Sequence, residues 1–365
     1  MTARVGLAAA GVVAWVGLSG CASGPREAAP SPPAATVAAP QAAPARAAPK
    51  GSRAGAMGEI AGRGERLIVY LPADGDTPEA VAARLIGSAE RAWQIVEANP
   101  ALEKPRGALR TDAPWVVPLT AINPTGAAAD GLQTVPILCY HRFGGGSSKM
   151  LVAPERFEQQ LDWLAKNGWR VLRLSDLSEF LAGRQALPPK SVVITIDDGY
   201  ESVYRHAFPL LKKYGFTATL FVYSDFIGAR DGLSWAQLQE MASSGVIDIQ
   251  SHSKSHRNLI ERRSGETDAS YRGSIDNEVR QPRALLEKRL QGVRVRHFAY
   301  PFGDANELVL ETMGKAEHEL GVTVNPGGNP FFAHPLMLRR TMIFGDHDLE
   351  DFKARLQVRR PVGKP

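Results

Sequence analysis

The sequence predicts an α/β chain: an incomplete (β/α) barrel of about seven strands, preceded by a small β-α-α-β module. Three observations predict it. From Val135 onward, short apolar or β-branched runs alternate with amphipathic helical stretches. The runs at 191–196 and 217–223 are apolar without clean alternation, the pattern of parallel strands buried on both faces. Residue types that carry chemistry stand just after such runs: Asp197-Asp198, His252 with His256, and Tyr300-Pro301. That is the edge where open and barrel α/β folds place their sites.

Residues 1–20 read as an export signal, apart from the fold. Arg4 gives a basic start, and Val5–Val16 is an apolar run too short to span a membrane comfortably. Leu18-Ser19-Gly20-Cys21 then resembles a bacterial lipobox. The resemblance implies cleavage before Cys21 and a lipid on its thiol, which anchors a protein to a membrane without spanning it. Ala22 after the cysteine resembles lipoproteins sent to the outer membrane, so a Gram-negative host would place the protein in the outer membrane or periplasm. Residues 21–57 are Ala/Pro-rich with few large apolar side chains, the composition of a semi-extended spacer.

Residues 58–120 return to a globular composition. Leu67–Leu71 reads as a strand, and Thr77 caps a helix that has Pro78 at its first position. A second helix carries Trp93, Ile95 and Val96 and closes at Asn99-Pro100, and Trp115–Leu119 is a final strand. Strand, Gly75-Asp76-Thr77 turn, two helices, Asn-Pro break and a closing Val-Pro-Leu resemble a lysin motif (LysM). That resemblance implies a module that binds N-acetylglucosamine polymers such as peptidoglycan.

Residues 121–134 read as a Gly/Ala linker, 135–358 as the large domain, and 359–365 as a frayed basic tail. The domain opens on a strand, Val135–Tyr140, with His141 at its end. Phe157, Leu161 and Leu164 recur at helical spacing, so Pro154–Asn167 is a helix stopped at Gly168. After Ser191–Ile196 and its two carboxylates, Gly199 lets the chain turn sharply. Ser234 and Gln237 form a capping box. A strand over Val246–Gln250 leads to His252-Ser253-Lys254-Ser255-His256, a helix over Ile275–Leu290 is expected to kink or break at Pro282, and strands follow at Val295–Tyr300 and Met337–Ile343.

Two carboxylates at the end of a buried strand are costly without compensation, and a metal ion is the usual compensation. Histidines at i and i+4 share one face of a helical turn, so His252 and His256 can reach one ion. One carboxylate with two imidazoles is a known open ligand set. Its donors admit Zn²⁺, Fe²⁺, Co²⁺, Ni²⁺ or Mn²⁺, and zinc is the expected ion.

Taken together, Thr195-Ile196-Asp197-Asp198-Gly199-Tyr200, the H-S-x-S-H segment and Phe298-Ala299-Tyr300-Pro301-Phe302-Gly303 resemble the polysaccharide deacetylases of carbohydrate esterase family 4. The resemblance covers about residues 135–352 and implies a distorted (β/α)7-type barrel that removes N-acetyl groups. It implies Asp198, His252 and His256 as ligands of one divalent ion, Asp197 as catalytic base, and the Tyr300 N–H as an oxyanion donor. Tyr140-His141 resembles a circularly permuted subgroup that includes deacetylases of poly-β-1,6-N-acetylglucosamine, which implies His141 as the general acid. His297 stands where many members carry an arginine that orients the base, leaving Arg340 or Arg142 to take that part. Tyr300, Pro301, Phe302 and Trp235 are candidate substrate contacts, with Trp235 and Phe302 as sugar-stacking platforms. Cys139 reads as a buried thiol without chemistry.

Two distant cysteines exclude a disulfide framework and a cysteine-based zinc site. A net charge of +5 is compatible with acidic partners and decides nothing alone. The expected partner is an N-acetylglucosamine-containing polysaccharide, either peptidoglycan through the LysM-like module or poly-β-1,6-N-acetylglucosamine. The membrane is a second partner through Cys21, and no nucleic acid is expected. Two alternatives stay open: a polysaccharide O-acetyl esterase using the same residues, and a non-catalytic wall-binding lipoprotein.

Overall fold

The computed structural model describes residues 58–99, 102, 113–120, 122–128 and 131–361. The export signal, Cys21 with its lipobox, and the Ala/Pro-rich spacer lie outside them.

The N-terminal module has one strand more than expected. Strands β1 (Glu59–Arg63), β2 (Leu67–Leu71) and β3 (Trp115–Pro118) form an antiparallel sheet in the order β1-β2-β3. Helices α1 (Pro78–Ile86) and α2 (Ala92–Ala98) pack on it, so the order is β-β-α-α-β rather than β-α-α-β. β1 escapes sequence reading because EIAGR is largely exposed and has no hydrophobic period. Thr77 accepts from the Ala80 N–H and Pro78 opens α1, as the capping pattern predicts. Asn99 ends α2 and stitches it to β3: its Nδ2 donates to the Ile95 and Val116 carbonyls, both at 2.7 Å, and its Oδ1 accepts from the Val116 N–H at 2.9 Å. Ile68, Tyr70, Val81, Ile95, Trp115 and Val117 make the module's core.

The large domain is built on parallel strands. β6 (Val135–Tyr140), β10 (Ser191–Ile196), β11 (Ala218–Val222), β12 (Ile247–Ser251), β13 (His297–Ala299) and β14 (Leu320–Val322) neighbour one another in that order. β16 (Thr341–Met342) runs parallel to β6 on its other side, and a parallel bridge between Val322 and Leu338 links the two ends of the curl. The result is an α/β barrel-like sheet. β9 (Arg170–Leu172) pairs with β10, and β15 (Gly328–Asn329) with the start of β6. β6, β10 and β11 are buried at every position. Ile137, Val193 and Phe221 belong to one apolar cluster, whereas their chain neighbours Leu138, Ile194 and Leu220 belong to another. That is the two-residue alternation of strands covered on both faces.

Helices α3 (Pro154–Lys166), α4 (Leu177–Leu181), α5 (Phe208–Tyr214), α6 (Trp235–Ser243), α7 (Asp268–Arg289), α8 (Glu307–Lys315) and α9 (Leu349–Ala354) connect the strands. The Ser234–Gln237 capping box forms at the start of α6. Of the kink or break expected at Pro282, the break does not occur: α7 runs through it. Tyr271, Ile275, Glu278, Val279, Pro282 and Leu286 make one buried stripe, and packing of that stripe outweighs the lost backbone bond.

Parts of the segment read as a linker and of the tail read as frayed are strands of one small sheet, and residues 362–365 of that tail lie outside the described ones. β4 (Ala127–Ala128) and β17 (Arg359–Pro361) flank β5 (Gly131–Gln133), and Thr134 Oγ1 donates to the Gln357 carbonyl at 2.7 Å. Backbone pairing over more than two hundred positions leaves no local signal. A short parallel pair, β7 (Arg142–Phe143) with β8 (Leu151–Val152), holds the Gly144–Ser148 loop beside the barrel.

Two imidazoles used by no step below are sealed in the domain. His297 and His318 are buried, and burial pushes each down to about 4. Their ordinary value is about 6.5, so between the two values the unfolded chain binds more protons than the folded one. Stability therefore rises with pH across this window and is lost as pH falls from about 6.5 toward 4. Between pH 7.5 and 5 the expected loss is about 2 kcal/mol per imidazole. Urea unfolding of wild type and His318→Leu at both pH values checks it: the variant should lose correspondingly less stability.

Candidate active site

The site assembles at the C-terminal ends of β6, β10, β12 and β13. β10 delivers Asp197 and Asp198, both buried. Gly199 turns the chain at φ +88°, with its Cα so close to β11 that a Cβ would stand 2.9 Å from the Val222 Cγ1.

Asp197 is held by Arg340. The guanidinium donates two bonds to the carboxylate, at 2.6 and 2.7 Å, and also reaches the Thr323 carbonyl at 2.8 Å and Thr195 Oγ1 at 3.1 Å. Arg340 is 0% exposed, so this is a forked ion pair inside the protein. Burial alone would raise the Asp197 pKa, but the Arg340 charge holds it far below the usual carboxylate range. Of the two arginines left open by the sequence, the structure thus puts Arg340 on the carboxylate. Arg142 lies over the Tyr200 ring at 4.3 Å and pairs with Asp231 at 3.5 Å.

Asp198, His252 and His256 come together with ligand atoms within 4.8 Å of one another. Asp198 Oδ1 is 3.6 Å from His252 Nε2 and 3.4 Å from His256 Nε2. His252 Nδ1 bonds the Ala299 carbonyl at 2.8 Å. A carbonyl oxygen only accepts, so Nδ1 carries the proton and Nε2 keeps a lone pair facing Asp198. Burial pushes His252 down to about 4, keeping the ring neutral at physiological pH, and lowers His256 as well. Asp198 is pushed up to about 6, first by burial and also by the Asp197 charge. A neutral imidazole with a fixed tautomer, a second imidazole and a carboxylate relieved by positive charge are a donor set that fits a divalent ion.

The histidines do not meet on a helical turn, contrary to expectation. Residues 252–256 form a bend in which Ser253 (φ 72°) and His256 (φ 60°) take left-handed backbone conformations. Asp198 (φ 73°) and Phe302 (φ 62°) share that conformation. Four of the five left-handed non-glycine residues among the described ones therefore gather at this one place, the fifth being Glu317 after α8; such gathering is a signature of functional sites.

His141 stands beside the pair. One ring nitrogen lies within 4.8 Å of the Cys139 thiol and the Asp197 carboxylate, and its buried Nδ1 has no partner among the described residues. Cys139 is fully buried, with Sγ 3.6 Å from Asp197 Oδ2.

Two expected contacts are corrected. The Tyr300 N–H donates to the Val322 carbonyl at 3.1 Å, extending the ladder between β13 and β14, and so is no open oxyanion donor. The Tyr300 side chain is 0% exposed and donates to the Leu336 carbonyl at 2.8 Å, so it offers no substrate contact either. Trp235 lies under Arg289, 4.8 Å from its ring centre. Leu233, two residues before Trp235, donates its N–H to the Gly199 carbonyl at 2.9 Å, so the start of α6 lies beside the turn that follows Asp198. Pro301 is buried and opens the turn that presents Phe302. Phe302 is 60% exposed and edge-on to His256, with ring centres 5.0 Å apart.

Sequence reading missed Glu278, which lies under the histidine loop, and Tyr223, whose ring centre is 5.2 Å from that of His256. Both are remote in sequence from the motifs; only their positions at the i, i+4 core stripe of α7 and just after β11 could have marked them.

Residues 184–321 match the family model described as polysaccharide deacetylase. A Bacillus subtilis protein named as a candidate polysaccharide deacetylase is 34% identical over 196 residues, covering 53% of this chain and 65% of the relative. The poly-β-1,6-N-acetyl-D-glucosamine N-deacetylase of Escherichia coli is 26% identical over 212 residues, covering 49% of this chain and 31% of that protein. The match thus spans less than two thirds of either relative. Among solved structures, a Streptococcus pyogenes deacetylase in complex with acetate superposes with a TM-score of 0.56 at 27% identity, covering 62% of this chain and 99% of that one.

Proposed function

We propose that the barrel, whose residues 184–321 match the polysaccharide deacetylase family model, removes N-acetyl groups from an N-acetylglucosamine-containing polymer with the help of one divalent ion. The observation that carries this reading is the convergence of Asp198, His252 and His256 beside a second carboxylate, Asp197, that is paired with Arg340 and has its Oδ2 3.8 Å from His252 Nε2. Named deacetylases among the relatives support it, and the E. coli relative favours a poly-β-1,6-linked substrate.

Asp198, His252 and His256 would hold the ion, with zinc the first expectation. A bound ion supplies Lewis acidity at the acetamide carbonyl and makes a water easier to deprotonate. Every other part falls to the chain. Asp197, fixed by Arg340, takes a proton from the attacking water. His141 gives a proton to the nitrogen as the C–N bond breaks, so that amine and acetate leave, since a free amide anion is a hopeless leaving group. Phe302 offers an exposed ring at the rim for a sugar face. In the same reading the N-terminal module is a LysM-like glycan binder and Cys21 a lipid anchor to the membrane, both supported by sequence pattern.

His141→Asn is expected to lower turnover by about 10²–10⁴-fold while leaving metal content unchanged. Full turnover in that variant would remove His141 from the mechanism. The substrate is tested by acetate release from poly-β-1,6-N-acetylglucosamine, peptidoglycan and acetylxylan. Release from the first above the other two is expected. Release from acetylxylan alone would replace the amidase reading with an esterase.

A further inference from the structure

The two imidazoles of the cluster are fixed by different means. His252 is locked through its own ring, by the Ala299 carbonyl. His256 depends on its backbone, which is left-handed there and again at Ser253. Such conformations persist only where the surroundings over-determine them. One clamp is local: the His256 N–H donates to Ser253 Oγ at 3.0 Å. The other comes from α7. Glu278 Oε2 accepts from the Lys254 and Ser255 N–H groups at 3.0 and 2.9 Å, and its Oε1 accepts from Ser255 Oγ at 2.6 Å. Glu278 is 5% exposed, and a buried carboxylate is costly unless its oxygens are satisfied. Here the donors that satisfy it are those of the loop between the two histidines.

We propose that Glu278 is a positioning residue that sets the affinity of the metal site by holding His256 in place through the Lys254–Ser255 backbone. The proposal rests on the reading of Asp198, His252 and His256 as metal ligands. Glu278 touches neither ion nor substrate. A glutamine in its place keeps the size and can keep the contacts, its oxygen accepting from the two N–H groups and its NH₂ donating to Ser255 Oγ, but neutral bonds replace charge-assisted ones and the clamp weakens.

The test is Zn²⁺ affinity of the full chain, measured by competition with a chromophoric chelator. Glu278→Gln should bind Zn²⁺ about 10–100-fold more weakly than wild type. Its far-UV circular dichroism should match wild type, and its turnover at saturating Zn²⁺ should stay within a few-fold. A purely structural role would leave the affinity of the folded protein unchanged. Ser255→Ala, which removes only the hydroxyl bond to the same carboxylate, should also bind more weakly than wild type, by less than Glu278→Gln does. Unchanged affinity in folded Glu278→Gln, or in Ser255→Ala, overturns the proposal while leaving the metal site standing. Failure of wild type itself to bind Zn²⁺ overturns both.

Discussion

Arg340→Met is expected to lower the unfolding free energy by about 3–5 kcal/mol and to abolish turnover, because it strips a buried carboxylate of its counter-charge. Arg340 and Asp197 are 0% and 2% exposed and joined by a two-pronged bond. With methionine at 340, Asp197 either stays ionised without compensation or takes up a proton and ceases to act as a base. The double variant Arg340→Met/Asp197→Asn separates the two consequences. It removes both charges, so it should regain most of the lost stability and none of the activity. Urea unfolding with acetate release on the same preparations checks both. If Arg340→Met unfolds at the wild-type midpoint and retains turnover, the pair neither supports the barrel nor orients the base.

His252→Ala is expected to reduce turnover at least about a thousandfold, close to 4 kcal/mol in the barrier. The substitution leaves Asp198 and His256 as two of the three donors, too few for the open site the chemistry needs. Asp197 and Arg340 stay paired, so the apo-protein should lose far less stability than Arg340→Met does. The contrast tells a site defect from a folding defect. A His252→Ala protein that hydrolyses acetamide at the wild-type rate would remove the imidazole from the reaction.

Much of the barrel is legible in the sequence because burial on both faces writes itself locally. SVVITI and ATLFV can be little else than core strands, and each is buried throughout. The acids after one strand and the histidines after another share one rim because parallel strands all end there. What the sequence hides is pairing at long range. Arg340 lies 143 positions from Asp197, and nothing near MLRRTMI singles it out from Arg339. β5 and β17 have no pattern apart from each other, so residues 121–134 and 359–365 look like linker and tail. The spacing of His252 and His256 suggests a helical turn, yet the loop reaches the same juxtaposition through left-handed residues clamped from α7. The Tyr300 amide looks free at a strand end, but the ladder runs one residue further and uses it. Pro282 looks like a break, but the core stripe on either side keeps the helix whole.

The most direct test of the account is the metal content of the purified full chain, by elemental mass spectrometry, in wild type and His252→Ala side by side. One equivalent of a divalent ion in wild type and close to none in the variant is the predicted result. A wild type without metal, or a variant that keeps its full equivalent, would contradict the claim that Asp198, His252 and His256 form a single ion site.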